Sequence, residues 1–262
     1  MDKIHGLLSS LFPNKEIKLI NFQNYDYVYT LNIDEKKYLV KIIYKRDKKI
    51  IEALDKLFIE KTYLKVAANT YMLVEPFVNG QCFDDDCQKD VTAFVKDLKK
   101  IHSYKIKEKD VYSAIKKRVI LLTKNLKIKG LKEIINYIKN YKFPKASSLI
   151  HEDIQPKNVL NKDESLFLFD YENMRLGHPY DDFSYLYLFS EQYPNIIKKI
   201  ITTYFDGNIP SDFHDLMSHF VVLRYLMNLS SAYKDFPQKV LDNNASIILK
   251  EYVHGEIPTL WK

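Results

Sequence analysis

The chain has 262 residues, of which 46% are hydrophobic and 28% charged, and its formal net charge is +6. This length allows one large domain or two lobes with separate cores, and the composition excludes a disordered or fibrous chain. No run of about 18 apolar residues occurs, so no membrane-spanning helix is predicted. The lysines are interleaved with acidic residues along the chain, which favours a solvated surface over a nucleic-acid or membrane partner.

The N-terminal segment and the cysteines bear on the cellular compartment. The apolar part of residues 1–18 is short and interrupted, which predicts an amphipathic helix ending near Pro13 instead of a secretory signal. Cys82 and Cys87 have no second Cys/His pair nearby in the sequence, so two unpaired thiols are favoured over a disulfide or half of a metal site. We therefore expect a cytoplasmic protein, either a monomer or a weak homodimer.

The first eighty residues predict mainly strands. Residues 25–33 and 36–44 are rich in Tyr, Val and Ile and should form a hairpin through the turn sequence DEKK. Helical periodicity follows over residues 48–61. Two further strands are expected in residues 63–68 and 71–78.

From about residue 86 the hydrophobic pattern becomes mainly helical. Helical periodicity covers residues 90–103, 113–126 and 131–141. Residues 147–170 interrupt it with short strands and loops, and helices resume after Pro179. The pattern predicts an α+β chain with a small β-rich lobe, residues 1–77, and a larger mainly helical lobe, residues 78–262.

The interruption contains polar residues that could form a catalytic site. The stretch LIHEDIQPKNVL carries His151, Asp153 and Asn158, and the apolar segment SLFLFD ends in Asp170. Each residue alone could be structural, as a buried histidine, a turn or a cap. Together they supply oxygen ligands of the kind that Mg²⁺ prefers and a carboxylate that could accept a proton from an attacking hydroxyl. This division of roles is what phosphoryl transfer requires.

The spacing of Asp153 and Asn158, with Asp170 after an apolar strand, resembles the catalytic loop and metal-binding aspartate of protein kinases. The wider pattern, HEDIQPKNVL followed by LFLFDYENMRLGHPYDDF, is more similar to the aminoglycoside phosphotransferase and choline kinase family. That family has a loop of the form H-G-D-x₄-N, then an aspartate, then G-x-P-x-x-D, which is matched here by Gly177, Pro179 and Asp182. The resemblance implies a bilobal protein kinase-like fold and an ATP- or GTP-dependent, Mg²⁺-requiring small-molecule kinase.

The resemblance also implies roles for the residues that match the motif. Asp153 would be the catalytic base, and Asn158 and Asp170 would hold Mg²⁺. His151 would brace the loop by hydrogen bonding. Asp182 would anchor the same loop, a role compatible with that of a plain helix cap.

In the N-terminal lobe the resemblance assigns Lys41 to the nucleotide phosphates, although a lysine facing solvent on an edge strand is the alternative. Glu52 is the expected ion-pair partner of Lys41. The connector that includes Glu75 and Phe77 would contact the adenine ring. Asn24 would stand in the phosphate-covering loop.

Two departures from the family pattern bear on these roles. Glycine is absent from residues 7–79, so the phosphate-covering loop, residues 21–29, has none, although Asn24 tolerates left-handed backbone conformations. Glu152 stands where the family has glycine after the loop histidine. Its carboxylate could raise the pKa of Asp153, contact a cationic substrate or point to solvent, and the last interpretation is favoured.

The acceptor is expected to be a cationic aminosugar or an amino alcohol. Glu172, two residues after Asp170, resembles the D-aromatic-E pattern of choline and ethanolamine kinases. Asp206, Asp212 and Asp215 could instead supply an acidic surface for an aminoglycoside. The sequence does not decide between them.

Three other interpretations remain. A nucleotide-binding relative that lost turnover would fit the glycine-free segment. A metal-dependent hydrolase would use His151, Asp153 and His178. A protein kinase is disfavoured because no activation loop separates Asp170 from the following helices.

Overall fold

The structure is a computed structural model that describes residues 2–21, 27–44, 48–58, 60–82, 86 and 88–255. The chain divides into two compact units, Met1–Asn79 and Gly80–Lys262. The first unit contains most of the β-structure and the second most of the helices. The predicted α+β class, with a β-rich N-terminal region and a mainly helical C-terminal region, is confirmed.

The first unit is an antiparallel sheet with two helices. Its strands have the order β1-β2-β3-β5-β4. The elements are α1 (Asp2–Leu11), β1 (Leu19–Asn21), β2 (Val28–Ile33), β3 (Lys36–Tyr44), α2 (Lys48–Leu57), β4 (Thr62–Ala67) and β5 (Thr70–Pro76). The alternation of β2 and β3 buries Leu31 and Val40, which pack with Leu8 and Met72 in one apolar cluster.

The predicted hairpin is confirmed, since β2 pairs with β3 across a turn at residues 34–35. Helix α2 ends at Leu57 instead of the predicted residue 61. The short strand β1, which pairs with β2, was not predicted. Cys87 and the side chain of Cys82 lie outside the described residues.

The second unit contains short sheets surrounded by helices. Its helices are α3 (Thr92–Ser103), α4 (Tyr112–Thr123), α5 (Leu131–Lys139), α6 (Pro179–Leu188), α7 (Pro194–Tyr204), α8 (Phe213–Ala232) and α9 (Gln238–Ile248). Its strands are β6 (Gln81–Cys82), β7 (Lys105–Lys109), β8 (Ala146–Ile150), β9 (Val159–Lys162), β10 (Ser165–Leu168) and β11 (Arg175–Gly177). Short 3₁₀ turns cover Pro156–Asn158, Tyr171–Asn173 and Tyr233–Asp235, and a π turn covers Leu249–Val253.

Two antiparallel pairings bring the motif residues together. Strands β9 and β10 form a hairpin whose turn residues, Asp163 and Glu164, have φ angles of 51° and 62°, as tight hairpin turns require. Strand β8 pairs with β11, so that Ser148 lies opposite Gly177. His151 after β8 lies 2.9 Å from the carbonyl of Phe169 after β10, so the polar residues that follow these two strands are close together.

Helices α6 and α8 pack against each other and contact the residues that follow β8. Helix α6 begins with Pro179 after His178, whose Nδ1 atom accepts a hydrogen bond from the Tyr180 amide at 3.3 Å, which caps the helix. Helix α8 packs against α6 and buries the guanidinium-bearing side chain of Arg224. Among the described residues, no helix is long and apolar enough to cross a bilayer.

Candidate active site

His151 follows β8 directly and is completely buried. Its Nε2 atom lies 2.9 Å from the Phe169 carbonyl oxygen, and its Nδ1 atom accepts a hydrogen bond from the Asp153 amide at 3.3 Å. Burial lowers the pKa of His151 despite nearby carboxylates. Because one partner can only accept and the other can only donate, the imidazole is neutral with its proton on Nε2. Both ring nitrogens are thus used to hold the loop.

The Asp153 carboxylate is surrounded by amide donors. Its Oδ2 atom accepts from Asn158 Nδ2 at 3.0 Å and from Asn173 Nδ2 at 3.2 Å, and its Oδ1 atom accepts from Gln155 Nε2. Asn158 Nδ2 also donates to the Asp153 carbonyl at 2.9 Å. Sequence reasoning missed Gln155 and Asn173, although Asn173 stands three residues after Asp170.

Asn158 and Asp170 are brought together by the β9–β10 hairpin. The Phe169 amide donates to the Asn158 carbonyl at 3.2 Å, which places Asp170 next to this pairing. Asp170 has a left-handed backbone, with φ 64° and ψ 56°. The side-chain nitrogen of Asn158 points to Asp153, so the Oδ1 atom of the same side-chain amide points away from Asp153.

This donor set fits Mg²⁺. An amide oxygen and a carboxylate are oxygen ligands, and Mg²⁺ takes one or two such protein ligands and completes its octahedron with waters and phosphate oxygens. Within the described part of the chain, no three His, Cys, Asp or Glu residues cluster as a metal site. Because Asn158 and Asp170 would supply two oxygens, the arrangement suits a site that waters and phosphate oxygens complete.

Asp182 lies in the first turn of α6, is fully buried and accepts three hydrogen bonds. Its Oδ1 atom accepts from the Glu152 amide at 2.8 Å, and its Oδ2 atom accepts from the His151 amide at 2.7 Å. The Oδ2 atom also lies 2.9 Å from His102 Nε2, while His102 Nδ1 lies 2.8 Å from the Tyr204 hydroxyl. One carboxylate on α6 thus links the residue 151–153 turn to His102 on α3 and, through His102, to Tyr204 on α7.

Glu152 does not point to solvent, and that expectation is wrong. Its side chain is 17% exposed, its Oε1 atom accepts from Arg224 Nη1 at 2.8 Å, and its Oε2 atom pairs with Arg175 Nε. The backbone of Glu152 is left-handed, with φ 72°, a region that costs a residue with a side chain about 1–2 kcal/mol. Because both oxygens face arginines, the carboxylate is not directed toward a substrate.

Arg224 and Arg175 also share Asp181, and this set of four charges is neutral. Arg224 Nη2 donates to Asp181 Oδ1 at 2.5 Å, and Arg175 Nη2 donates to Oδ2 at 2.6 Å. Burial alone would raise the pKa of Asp181, but the two guanidinium groups outweigh it and lower the pKa to about 2. The Tyr112 hydroxyl donates to the same carboxylate at 3.0 Å. Sequence reasoning missed all three of these contacts.

In the first unit, Lys41 lies on β3 opposite Val28 and Leu73 and is partly buried. The expected pairing of Lys41 with Glu52 is wrong: in the described residues, Glu52 pairs with Lys48 at 3.2 Å and its side chain is 53% exposed. The physical reason is helix geometry, because the buried side of α2 carries Ile51, Ala53 and Leu54 and turns Glu52 outward. Asn24 lies outside the described residues.

The connector residues have partners of their own. The Glu75 carboxylate pairs with Lys61, and both side chains are nearly buried, at 11% and 9% exposed. The Phe77 amide donates to the Lys37 carbonyl at 2.9 Å, and Lys37 Nζ lies 4.0 Å from the centre of the Phe77 ring. The strand-like pairing of Phe77 with Lys37 continues the β3–β5 ladder.

The residues suggested for the acceptor are dispersed over the second unit. Glu172 lies in the 3₁₀ turn after Asp170 and is partly buried. Asp206 pairs with Lys99, whose Nζ atom lies 2.9 Å from both carboxylate oxygens. Asp212 and Asp215 are exposed at the start of α8. Nothing in these contacts selects one acceptor.

The first unit is β-rich and the second is mainly helical, and a histidine, two aspartates and an asparagine follow the ends of short strands. The chain has a protein kinase-like fold. Choline kinase LicA from Streptococcus pneumoniae aligns with 96% of this chain and 98% of its own, at a TM-score of 0.57 and 15% identity. Aminoglycoside phosphotransferase APH(4)-Ia, in a ternary complex with AMP-PNP and hygromycin B, covers 97% of this chain and 100% of its own at a TM-score of 0.62 and 10% identity.

Spectinomycin phosphotransferase APH(9)-Ia, in complex with ADP and spectinomycin, covers 97% of this chain and 92% of its own, at a TM-score of 0.60 and 15% identity. No protein-family model and no curated protein sequence matches the chain. At these identities the likeness establishes the fold, and it extends over nearly the whole of each chain. The predicted resemblance to this group of phosphotransferases is confirmed at that level.

Proposed function

We propose that the protein is a small-molecule kinase that transfers the γ-phosphoryl group of ATP or GTP to a hydroxyl group. The observation that carries the proposal is the set of hydrogen bonds around Asp153, because Asn158 orients this carboxylate and belongs to the metal-binding pair with Asp170. One side chain thus couples the base to the metal site. Phosphoryl transfer depends on such positioning and on charge stabilisation more than on covalent chemistry.

In this proposal Asp153 accepts the proton of the acceptor hydroxyl as the oxygen attacks phosphorus. The amide donors around the carboxylate fix its orientation, which a general base requires. His151 is neutral and holds the loop through both nitrogens, so it takes no part in proton transfer. Asn158 and Asp170 would hold Mg²⁺, which when bound neutralises charge on the nucleotide phosphates.

The first unit would bind the nucleotide and the second would carry the catalytic and acceptor-binding residues. Lys41 would contact the phosphates, and the connector through Glu75 and Phe77 would contact the base. The nucleotides named in complexes of similar structures, AMP-PNP and ADP, support a nucleotide donor. Asn24 remains a candidate for the phosphate-covering loop.

For the acceptor we propose a cationic amino alcohol or aminosugar. This rests on the similar structures, which are a choline kinase and kinases described with hygromycin B or spectinomycin. Glu172 is the remaining carboxylate close to Asp170 in sequence, and we assign it the acceptor cation. Glu152 is removed from this role because its oxygens face Arg224 and Arg175.

A metal-dependent hydrolase is not favoured by the site. Its proposed ligand His151 has both ring nitrogens in hydrogen bonds to backbone groups. With both of its nitrogens occupied in this way, His151 has no lone pair left for a metal. A relative that binds nucleotide without turnover is the other alternative, and the activity test below separates it.

The test is release of ADP or GDP in the presence of Mg²⁺ with choline, ethanolamine and several aminoglycosides as acceptors. We expect turnover with one class of acceptor and a fall in kcat of about 10²–10⁴-fold in Asp153→Asn, the usual contribution of a positioned general base. Asp163→Asn, in the exposed β9–β10 turn, is the matched control and should keep full activity. Nucleotide binding without turnover on any acceptor would favour the inactive relative, and absence of nucleotide binding would overturn the proposal.

A further inference from the structure

The turn that carries the proposed base has a backbone conformation that its sequence does not favour. Glu152 has φ 72°, in the left-handed region that glycine enters freely and a glutamate does not. The conformation is nevertheless needed, since it directs the His151 and Glu152 amides at the two oxygens of Asp182, at 2.7 and 2.8 Å. Something other than local preference must hold this turn.

The side chain of Glu152 provides a specific attachment. Arg224 Nη1 donates to its Oε1 atom at 2.8 Å, and Arg175 Nε pairs with its Oε2 atom. Arg224 comes from the middle of α8 and is separated from Glu152 by 72 residues in the chain. The contact therefore ties the catalytic turn to a helix that is remote in sequence.

Arg224 is a rigid attachment point. Its side chain is 1% exposed, its Nη2 atom is bonded to Asp181 at 2.5 Å, and its guanidinium carbon lies 4.1 Å from the centre of the Tyr185 ring. A planar guanidinium held by a carboxylate and stacked on an aromatic ring has little freedom to reorient. A carboxylate bound to it is fixed accordingly.

We infer that Glu152 and Arg224 form a positioning pair that holds the residue 151–153 turn and thereby sets the direction of the Asp153 carboxylate. The inference rests on the proposed kinase function for its catalytic consequence. Glu152 is a positioning residue and not a base, because both of its oxygens are directed at arginines. Arg175 completes the attachment from β11.

The deciding variant is Glu152→Gly, because glycine adopts the left-handed backbone without steric strain and removes the attachment. The substitution also leaves Arg224 and Arg175 with Asp181 as their shared carboxylate, so the free energy of unfolding is measured as well, to show that the variant is folded. Glu164→Gly is the matched control: Glu164 is also a left-handed glutamate, with φ 62°, in an ion pair with Lys89 at 3.1 Å, but its side chain is 79% exposed. Glu152→Gln keeps an oxygen that can accept from Arg224 and is the conservative variant. Hydrogen exchange of the amides of residues 151–155 is measured beside kcat, KM and nucleotide affinity.

We expect Glu152→Gly to lower kcat by about tenfold or more, since small misplacements of a reacting group have effects of this size, while KM values and nucleotide affinity change by less than about twofold. We expect exchange of the loop amides to become about tenfold faster as local opening becomes easier. Glu152→Gln should have a kcat and a rate of loop amide exchange close to those of the wild-type protein. Glu164→Gly should change neither kcat nor the exchange rate.

Unchanged kcat and unchanged amide exchange in folded Glu152→Gly would overturn the positioning pair. A parallel fall of activity in Glu164→Gly would overturn it as well, because the effect would then follow from the backbone substitution alone. If the wild-type protein turns over none of the acceptors, the proposed function fails. The amide exchange still decides the pair in that case: faster exchange in Glu152→Gly supports it, and unchanged exchange overturns it.

Discussion

The His102 imidazole on α3 lies 2.9 Å from the Asp182 carboxylate on α6, and the same carboxylate accepts hydrogen bonds from the backbone amides of His151 and Glu152. A residue outside the motif thus shares one buried acceptor with the motif. Each of the two Asp182 oxygens accepts at least one of these hydrogen bonds. This relationship makes the turn sensitive to the chemistry of a residue that lies outside the motif.

Asp182→Asn should therefore destabilise the protein and lower its activity. The new amide NH₂ group faces a backbone N–H, so one buried donor loses its acceptor, at a cost of about 1–3 kcal/mol. The free energy of unfolding in urea and kcat are the measurements. Asp110→Asn is the control, because exposed Asp110 accepts from Ser113 at the start of α4 and Asn caps equally well. Equal stability of the two variants would contradict the prediction.

Gly177→Ala should destabilise the second unit. A Cβ atom at Gly177 would lie 2.4 Å from Ile150 Cδ1 and 2.7 Å from Cγ1, and Ile150 is fully buried at the end of β8, directly before His151. Overpacking of this kind costs about 1–3 kcal/mol. Gly6→Ala has open space around the new methyl group and lies within α1, so it should instead stabilise by up to about 1 kcal/mol. Thermal unfolding should give a lower Tm for Gly177→Ala and an equal or higher Tm for Gly6→Ala than for the wild-type protein. An unchanged Tm in Gly177→Ala would refute the steric argument.

Stability should fall in mild acid because of His178. Burial lowers the pKa of His178 from 6.5 to about 4, so the unfolded chain binds this proton first as the pH falls. Neutral, buried His178 therefore contributes about 3 kcal/mol to the free energy of unfolding above pH 6.5, and this contribution is lost as the pH falls from 6.5 to about 4. His178→Asn keeps a side-chain acceptor for the Tyr180 amide and removes the titration. The free energy of unfolding in urea, measured from pH 7 to 4, should fall less in the variant than in the wild-type protein. An identical dependence on pH in the two proteins would exclude His178 as the cause.

The Lys61–Glu75 pair in the first unit should behave as a buried ion pair. Lys61→Met leaves a carboxylate that is only 11% exposed without this cation, which costs about 3 kcal/mol or more. Lys61→Met/Glu75→Leu should recover much of that loss, since apolar replacements of both partners are often neutral. Lys48→Met, which breaks the exposed pair with Glu52, should cost less than about 0.5 kcal/mol. Similar losses in the two single variants would show that burial does not govern the first pair.

The sequence predicted correctly those elements whose structure depends on residues only a few positions apart. Strand β3 was predicted with its observed bounds because alternation and β-branched residues act within a few positions. The motif residues around Asp153 lie within a short segment, so their spacing alone indicated a site. Glu52 failed for the converse reason: it was chosen for its distance along the chain, although the helical pattern of residues 48–61 already placed it nearly opposite the apolar stripe.

Arg224 could not be found from sequence. It stands in the apolar run of α8, and its partners Glu152 and Asp181 are 72 and 43 residues away. Which carboxylates a buried arginine meets is decided by helix packing, which no local pattern encodes. The one available signal is an arginine inside an apolar helix, because such a charge is buried only with partners.

The contacts of the catalytic turn also have a consequence for the order of events during synthesis. The turn is held by Asp182, 31 residues beyond His151, and by Arg224, still further along the chain. A nascent chain that has emerged only as far as Asn173 contains every residue of the proposed base and metal site but none of these attachments. Because the entropy of closing long loops is lost before their contacts are gained, we expect the turn to have all of its attachments only after α8 has left the ribosome and docked.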